Sequence, residues 1–405
     1  MTIAPPDNHR EDVSHRYYIP HHAVVRDSSA TTRLRVVFNA SCRTSDETSL
    51  NDHLLVGPKL QLNPVTVLMR WRQHRYVYTA DIAKMYRQIL VDQRNVDYQR
   101  ILWRESPEQP VDEYQLLTVT YGTASAPYLA LRVVRQLAQD EGASFPLAVP
   151  VFLSQLYVDD SVFGADDKIL ARQTRDQLVA LLSKGGFRLR KWVSNCEDLL
   201  SDIDPSDHGL ACSKDLHDDE RLNVLGLTWD PGRDIFQVKV SLPVHVSKTK
   251  REILSTIARL FDPLGWITPI VITAKIFLQT LWQLKCDWDD DILVDYATAW
   301  ERYHSKLSCL HQLEIARWTR SGSHTLKAEL HSFSNASTKA YAAVVYLRNI
   351  HIDGSIDVCL LAAKSKVAPF KTLSVPRLEL AAAHLSRLVQ FVRTTLQLPN
   401  IETYC

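Results

Sequence analysis

The stretch Tyr157-Val158-Asp159-Asp160 constrains this chain more than any other, because it sets two adjacent carboxylates between runs rich in Val, Leu, Phe and Tyr. Val151 to Leu156 and Ser161 to Gly164 read as short strands, so the pattern predicts a β-hairpin with the acids at its turn. Consecutive strand side chains point to opposite faces, but at a tight turn both can be offered near one point. Paired carboxylates on a rigid apolar support suit divalent metal for phosphoryl or nucleotidyl transfer. Asp also favours turns for its local hydrogen bonding, so an Asp-Asp turn alone is just a turn.

A second carboxylate in a matching setting shifts that balance. In Tyr76-Val77-Tyr78-Thr79-Ala80-Asp81, an aromatic and β-branched run ends at Asp81, and a helix-compatible segment follows through Met85-Tyr86-Arg87-Gln88. An acid at a strand end faces the hairpin turn if the two strands are neighbours in one sheet. Asp81 and Asp159 could then share two magnesium ions that activate a primer hydroxyl and stabilise a leaving pyrophosphate.

At these residues the chain resembles the reverse transcriptase of long-terminal-repeat retrotransposons, most closely the Bel/Pao group, as a fragment of its Pol polyprotein. The resemblance runs from about Tyr17 to the last residue, with motifs in the family's order. Arg33 to Ser41 resembles the fingers strand, and Ser49-Leu50-Asn51-Asp52 with Val56-Gly57-Pro58 resembles the segment after it. The Asp81 block, Val119 to Pro127 and Tyr157 to Asp160 are similar to the first three palm motifs. Gly185 to Trp192 resembles the fourth, and Leu225 to Trp229 the primer-grip hairpin.

The resemblance implies roles residue by residue. Asp81, Asp159 and Asp160 would be the catalytic acids, with Asp81 and Asp159 as ligands of two Mg2+ ions, Mn2+ being a possible substitute. Tyr86 would pack against the sugar and exclude a 2′-hydroxyl. Arg35 would reach the incoming triphosphate, where a guanidinium fork suits phosphate oxygens. Gly122 would let backbone approach the template–nucleotide pair. Lys191 would protonate the pyrophosphate. Without the resemblance, Tyr86 reads as a core aromatic, Arg35 as a solvated strand residue and Lys191 as a surface cation beside Trp192.

The implied fold is α+β, a right-hand-like fingers and palm. A mostly helical connection and an incomplete ribonuclease H-like α/β domain follow it. The expected divisions are an irregular lead-in over 1–16, fingers and palm over 17–235, the connection over 236–322 and the ribonuclease H-like part over 323–405. A helix is expected from near Asp166 to Lys184, capped by Asp166 or Asp167 and stopped by Gly185-Gly186. In the connection, Ser247 is expected to cap a helix over Lys248–Leu260, and Trp266 to Trp282 to form a buried helix. No Asp-Thr-Gly or Asp-Ser-Gly in an apolar strand supports aspartic-peptidase chemistry there, and Asp353-Gly354-Ser355 reads as a hairpin turn.

Toward the C-terminus, Thr325–Ser334, Ala340–Asn349 and Ile356–Ser365 read as a β-meander, followed by a helix over Pro376–Arg393. This resembles the opening half of a ribonuclease H domain. The family's helix acid is present as Glu379, but the first strand carries Asn335 where the family has an acid. A neutral amide oxygen holds a hard dication less well than a carboxylate. The family's next acid would fall beyond Cys405, after a strand begun by Ile401 to Tyr404. The expectation is therefore no ribonuclease H activity, from a piece of a longer polyprotein or a decayed copy.

Composition limits the partners. With 405 residues and a formal net charge of only +1, nucleic-acid binding cannot rest on bulk charge. It must rest on local runs such as Arg70-Trp71-Arg72-Gln73-His74-Arg75 or Arg188 to Lys191, although such runs are more often solvated faces. Seven cysteines without a C-x-x-C pair fit a reducing compartment and no disulfide framework. No secretory signal or membrane span is read. The expected location is cytoplasmic, in a virus-like particle if active, with the nucleus as an alternative; the oligomeric state is not read. The leading function is an RNA- and DNA-directed DNA polymerase taking a template–primer and dNTPs. The alternatives are an inactive nucleic-acid-binding remnant and a host-adopted protein scaffold.

Overall fold

Alternating β-branched and aromatic residues become strands, and apolar residues at helical spacing become helices, throughout a mixed α+β molecule. The computed structural model describes residues 1–4, 16–25, 34–209, 222–240, 242, 245–284 and 287–405. Most of the expected lead-in over 1–16, and Arg33 of the fingers motif, lie outside them. The chain divides into two units: 1–62, 81–161 and 174–190 form the first, and 63–80, 162–173 and 191–405 the second.

In the first unit, strands His21–Val25 and Leu34–Phe38 pair antiparallel, with Val24 opposite Arg35. Ile19, Ala40, Leu50 and Ile101 form a buried cluster beneath them. Helix Ala126–Glu141 begins with Pro127 in its first turn, where a missing N–H costs nothing, and buries Ala126, Ala130, Leu131, Val134 and Ala138. The expected strand before the acids is mostly absent. Ala148–Ser154 is helical and buries Ala148, Val151 and Phe152, leaving only Leu156–Tyr157 as the outgoing strand. A short apolar run fits a buried strand or a buried helix equally well, and here the i, i+3, i+4 spacing won.

One four-stranded sheet has the order Leu156–Tyr157, Asp160–Ala165, Tyr76–Ile82, Leu189–Ser194. The helix that follows the hairpin spans Lys168–Lys184. Asp167 accepts the amides of Ile169 and Leu170 at 2.7 and 2.9 Å, which makes it the cap. At the other end Gly186, at φ +74°, takes the left-handed conformation that ends the helix.

In the second unit, helices Lys250–Ala258, Thr268–Gln283 and Val294–Lys306 meet around Ile253, Ile257, Ala274, Leu278, Leu281, Ile292 and Trp300. Thr249, not Ser247, caps the first of them, through a reciprocal capping box with Glu252. Ser247 is buried and bonds Thr256 Oγ1 instead, at 2.9 Å. The second helix buries one face rather than its whole circumference. Among the described residues, no helix is long and apolar enough to cross a membrane.

The meander forms as strands Thr325–Ala336, Ala340–His351 and Ile356–Val367, joined at Asp353-Gly354-Ser355. Glu402–Tyr404 adds a fourth strand parallel to the first, with Leu330 opposite Thr403. The single expected helix is two, Val375–Leu385 and Leu388–Thr395. At the break the Ser386 amide is shared between the Ala382 and Ala383 carbonyls, both at 3.1 Å, which tightens the last turn.

Within the run Arg70 to Arg75, Trp71 and Arg72 belong to an internal clamp, while Arg75 is exposed. Trp71 is 0% and Arg72 1% exposed. Arg72 donates to the carbonyls of Arg317, Leu360 and Ala316 at 2.9 to 3.2 Å, and burial lowers its pKa to about 10. Arg317 donates to Asp234 at 2.6 and 2.7 Å and to the carbonyls of Trp71, His74 and Arg75. Their guanidiniums lie over aromatic rings, Arg72 over Trp266 and Arg317 over Trp71. A buried cation needs this many partners to offset the loss of its hydration.

Candidate functional site

Tyr157 pairs with Asp160 and Leu156 with Ser161, so the hairpin loop consists of Val158 and Asp159. A two-residue loop needs a positive φ at its first position, and Val158 supplies it at +56°. For a β-branched residue that conformation is strained, and it persists only if its surroundings hold it. Gln61 does so. Its Oε1 accepts the Val158 amide at 2.9 Å, and its Nε2 donates to the Leu156 carbonyl at 3.1 Å.

The strand ending at Asp81 meets this loop through main chain. The Ile82 amide donates to the Asp159 carbonyl at 2.8 Å, and the Ala83 amide to the Arg188 carbonyl at 2.9 Å. Asp81 and Asp159 are therefore neighbours across a strand pair, both half-buried, with Asp160 exposed beside them. The first two are the residues that the resemblance makes metal ligands.

Tyr86 sits in the short 3-10 turn Met85–Gln88 just after that strand. Burial raises its phenol pKa, and the charge of Asp159 raises it further. Its ring lies 6.5 Å from that of Tyr121. Tyr121 donates its hydroxyl to the Val36 carbonyl at 2.8 Å, which joins Tyr86 to the strand of Arg35. Arg35 itself is exposed. Gly122, at φ +97°, lies so close to that strand that a Cβ would stand 2.5 Å from the Phe38 carbonyl oxygen. Any side chain there would push the strand and the loop apart.

Asn51 fastens the Gly122 loop: its Nδ2 donates to the Gly122 carbonyl at 3.0 Å, and its Oδ1 accepts the Ala124 amide at 2.7 Å. Asn51 and Tyr121 stand inside motifs of the sequence without a mark of their own, and Gln61 stands outside them. All three act on backbone remote in sequence, so no local spacing marks them. The donors available for a metal are hard carboxylate oxygens. Mg2+ is usually held by one or two such groups together with water and substrate phosphates, so Asp81 and Asp159 fit it. Among the described residues, no three His, Cys, Asp or Glu side chains form a ready-made metal cluster.

Lys191 belongs to the second unit, exposed and at φ +57°. So do Asn335 and Glu379, which the fold brings together. The Ala336 amide donates to Glu379 Oε1 at 3.2 Å and also to Asn335 Oδ1 at 2.7 Å. One carboxylate and one amide thus face the same N–H.

Residues 249–405 match the family described as Pao retrotransposon-like RNaseH-like domain. No curated protein matches the chain. Among solved structures, the foamy viral protease-reverse transcriptase dRH in complex with ds DNA is similar, with a TM-score of 0.59 and 15% identity. That match covers 96% of this chain and 58% of that one. The foamy viral protease-reverse transcriptase in complex with RNA/DNA hybrid gives a TM-score of 0.53 at 16% identity, covering 96% and 44%. The chain thus spans between 44% and 58% of the length of these two proteins. At such identity the likeness is one of fold: a mixed α+β chain resembling the retroviral reverse transcriptase architecture, with a ribonuclease H-like C-terminal part.

Proposed function

We propose that this chain is a template-directed DNA polymerase that extends a primer on RNA or DNA using dNTPs. The observation that supports this most is the bond from the Ile82 amide to the Asp159 carbonyl, which makes neighbours of acids far apart in sequence. In this reading 17–235 serve as fingers and palm, 236–322 as connection and 323–405 as a ribonuclease H-like part without nuclease activity. Asp81 and Asp159 would hold divalent metal, which when bound would polarise the primer hydroxyl and balance phosphate charge.

The chain's own groups do the rest. Asp160 adds negative charge that favours dications at the turn. Gln61 keeps the strained loop in one shape, so the acids are placed before substrate arrives. Tyr86 packs against the sugar and leaves no room for a 2′-hydroxyl. Gly122 admits the template–nucleotide pair, and Arg35 binds the triphosphate. Primer extension on poly(rA)–oligo(dT), compared between the native chain and Asp159→Asn, tests the proposal. Extension by the native protein alone supports it. Equal inactivity of two folded, template-binding proteins overturns it and leaves a nucleic-acid-binding remnant.

A further inference from the structure

Several cations in the second unit are paired. Arg233 binds Glu314, Arg251 binds Asp289, Arg320 binds Asp357, and Lys327 binds both Glu329 and Glu402. Five others gather in one place. Lys275, Lys364, Lys366, His384 and Arg387 line a single cleft of about 750 Å³. All five are exposed. Among the described residues, none of the five has an acid within ion-pair distance.

Three separate elements bring them there. Lys364 and Lys366 alternate along the strand Ile356–Val367, so both stand on one face of it. Lys275 comes from the helix Thr268–Gln283, and His384 and Arg387 from the end of Val375–Leu385 and the break after it. Leu260, Leu264, Val271, Leu388 and Phe391 supply an apolar wall.

The cleft has one acid, Asp262, which feels the charge of Lys275 and is engaged by backbone amides. Its two oxygens accept the Trp266 and Ile267 amides at 2.7 and 2.9 Å, closing the helix start that follows. Gathering like charges costs free energy, and a partner of opposite charge offsets it. Spacing over three elements suits a string of anions better than one carboxylate.

We propose that this cleft binds the phosphodiester backbone of a nucleic acid, through Lys364, Lys366 and Arg387 with Lys275 and His384 beside them. The inference rests on the polymerase reading only in naming nucleic acid as the polyanion. The cleft lies wholly within the second unit, so it is a site apart from Asp81 and Asp159.

Salt-dependent binding of a fluorescent DNA duplex to the full chain tests it. Each phosphate contact on duplex DNA adds about 0.9 to the slope of log K against log salt. Lys364→Gln, Lys366→Gln and Arg387→Gln together should reduce the slope by roughly 2 to 3 and weaken binding at least about tenfold at 0.1 M salt. Arg302→Gln, Lys306→Gln and Lys339→Gln, also exposed, should leave both unchanged in a chain of equal melting temperature. An unaltered slope in the first triple variant overturns the proposal. So does displacement of the duplex by micromolar inorganic tripolyphosphate at one equivalent per chain, which would assign the cleft to a free phosphate ligand. Asp159→Asn should keep the full slope, so a failed polymerase reading and a failed cleft are told apart.

Discussion

Two places in this molecule bring an acid together with a residue from a remote segment, and they differ in whether that partner is a carboxylate or an amide. In the first unit both members, Asp81 and Asp159, are carboxylates, and their strands meet through the bond from the Ile82 amide to the Asp159 main-chain carbonyl. In the second, Glu379 faces Asn335 across the Ala336 amide. What separates them is charge: two anionic oxygens can neutralise a dication, whereas an amide leaves half the work to one carboxylate. Position alone does not make a metal site.

The largest effect should come from removing charge where both acids are present. Asp81→Asn in primer extension is expected to lower turnover by roughly three orders of magnitude or more, the scale on which positioned electrostatics acts. A loss under tenfold would put the first site on a level with the second.

Tyr86→Ala should relax rejection of ribonucleotides by about 10- to 100-fold while dNTP incorporation continues, the discrimination one steric contact can give. Measured as the ratio of kcat/KM for dNTP and rNTP, an unchanged value removes Tyr86 from the site. Gln61→Ala should cost about 1–2 kcal/mol of stability in denaturant unfolding, because it strips two hydrogen bonds from the strained Val158 loop. Extension should fall with kcat while KM for template stays constant, since the loop rather than the substrate loses its support.

The reciprocal change in the second site is smaller. Asn335→Asp should tighten Mn2+ binding there severalfold by calorimetry, still without cutting the RNA strand of a hybrid. Cleavage by the native chain, abolished by Glu379→Ala, would erase the contrast between the sites.

The mildest effect concerns pH. Lys327, then His331 and Arg348, hold the carboxyl of Glu329 down to about 2, against an ordinary 4.5. A depressed carboxylate stabilises the fold above the ordinary value and loses that contribution as pH falls toward 2. Glu329→Gln should therefore flatten the pH dependence of unfolding between about 4.5 and 2, read by circular dichroism.

Much of this was legible in the residues. The meander from Thr325 to Val367, the helix from Lys168 and a hairpin at the paired acids announce themselves through period-2 alternation, an Asp cap and acids between apolar runs, although only Asp159 lies in the loop and Asp160 opens the next strand. Those signals are local, because backbone geometry sets each period within a few residues. Where a local rule has two solutions, reading fails: Val151 to Ser154 is as apolar as a strand and folded as a helix, and Thr249 outcompeted Ser247 as a cap.

The chain's order of letters thus sufficed for periodicities, turns and the choice of carboxylate over amide at each acid position. Folding settled which distant groups meet. It buried Arg72 and Arg317 in an internal clamp where a basic run suggested a surface, and set Gln61 on a loop a hundred residues downstream. It also collected unpaired cations from three elements into one cleft. The reason is range: hydrogen bonds and charge pairing depend on distance in space, and only packing converts separation along a chain into proximity.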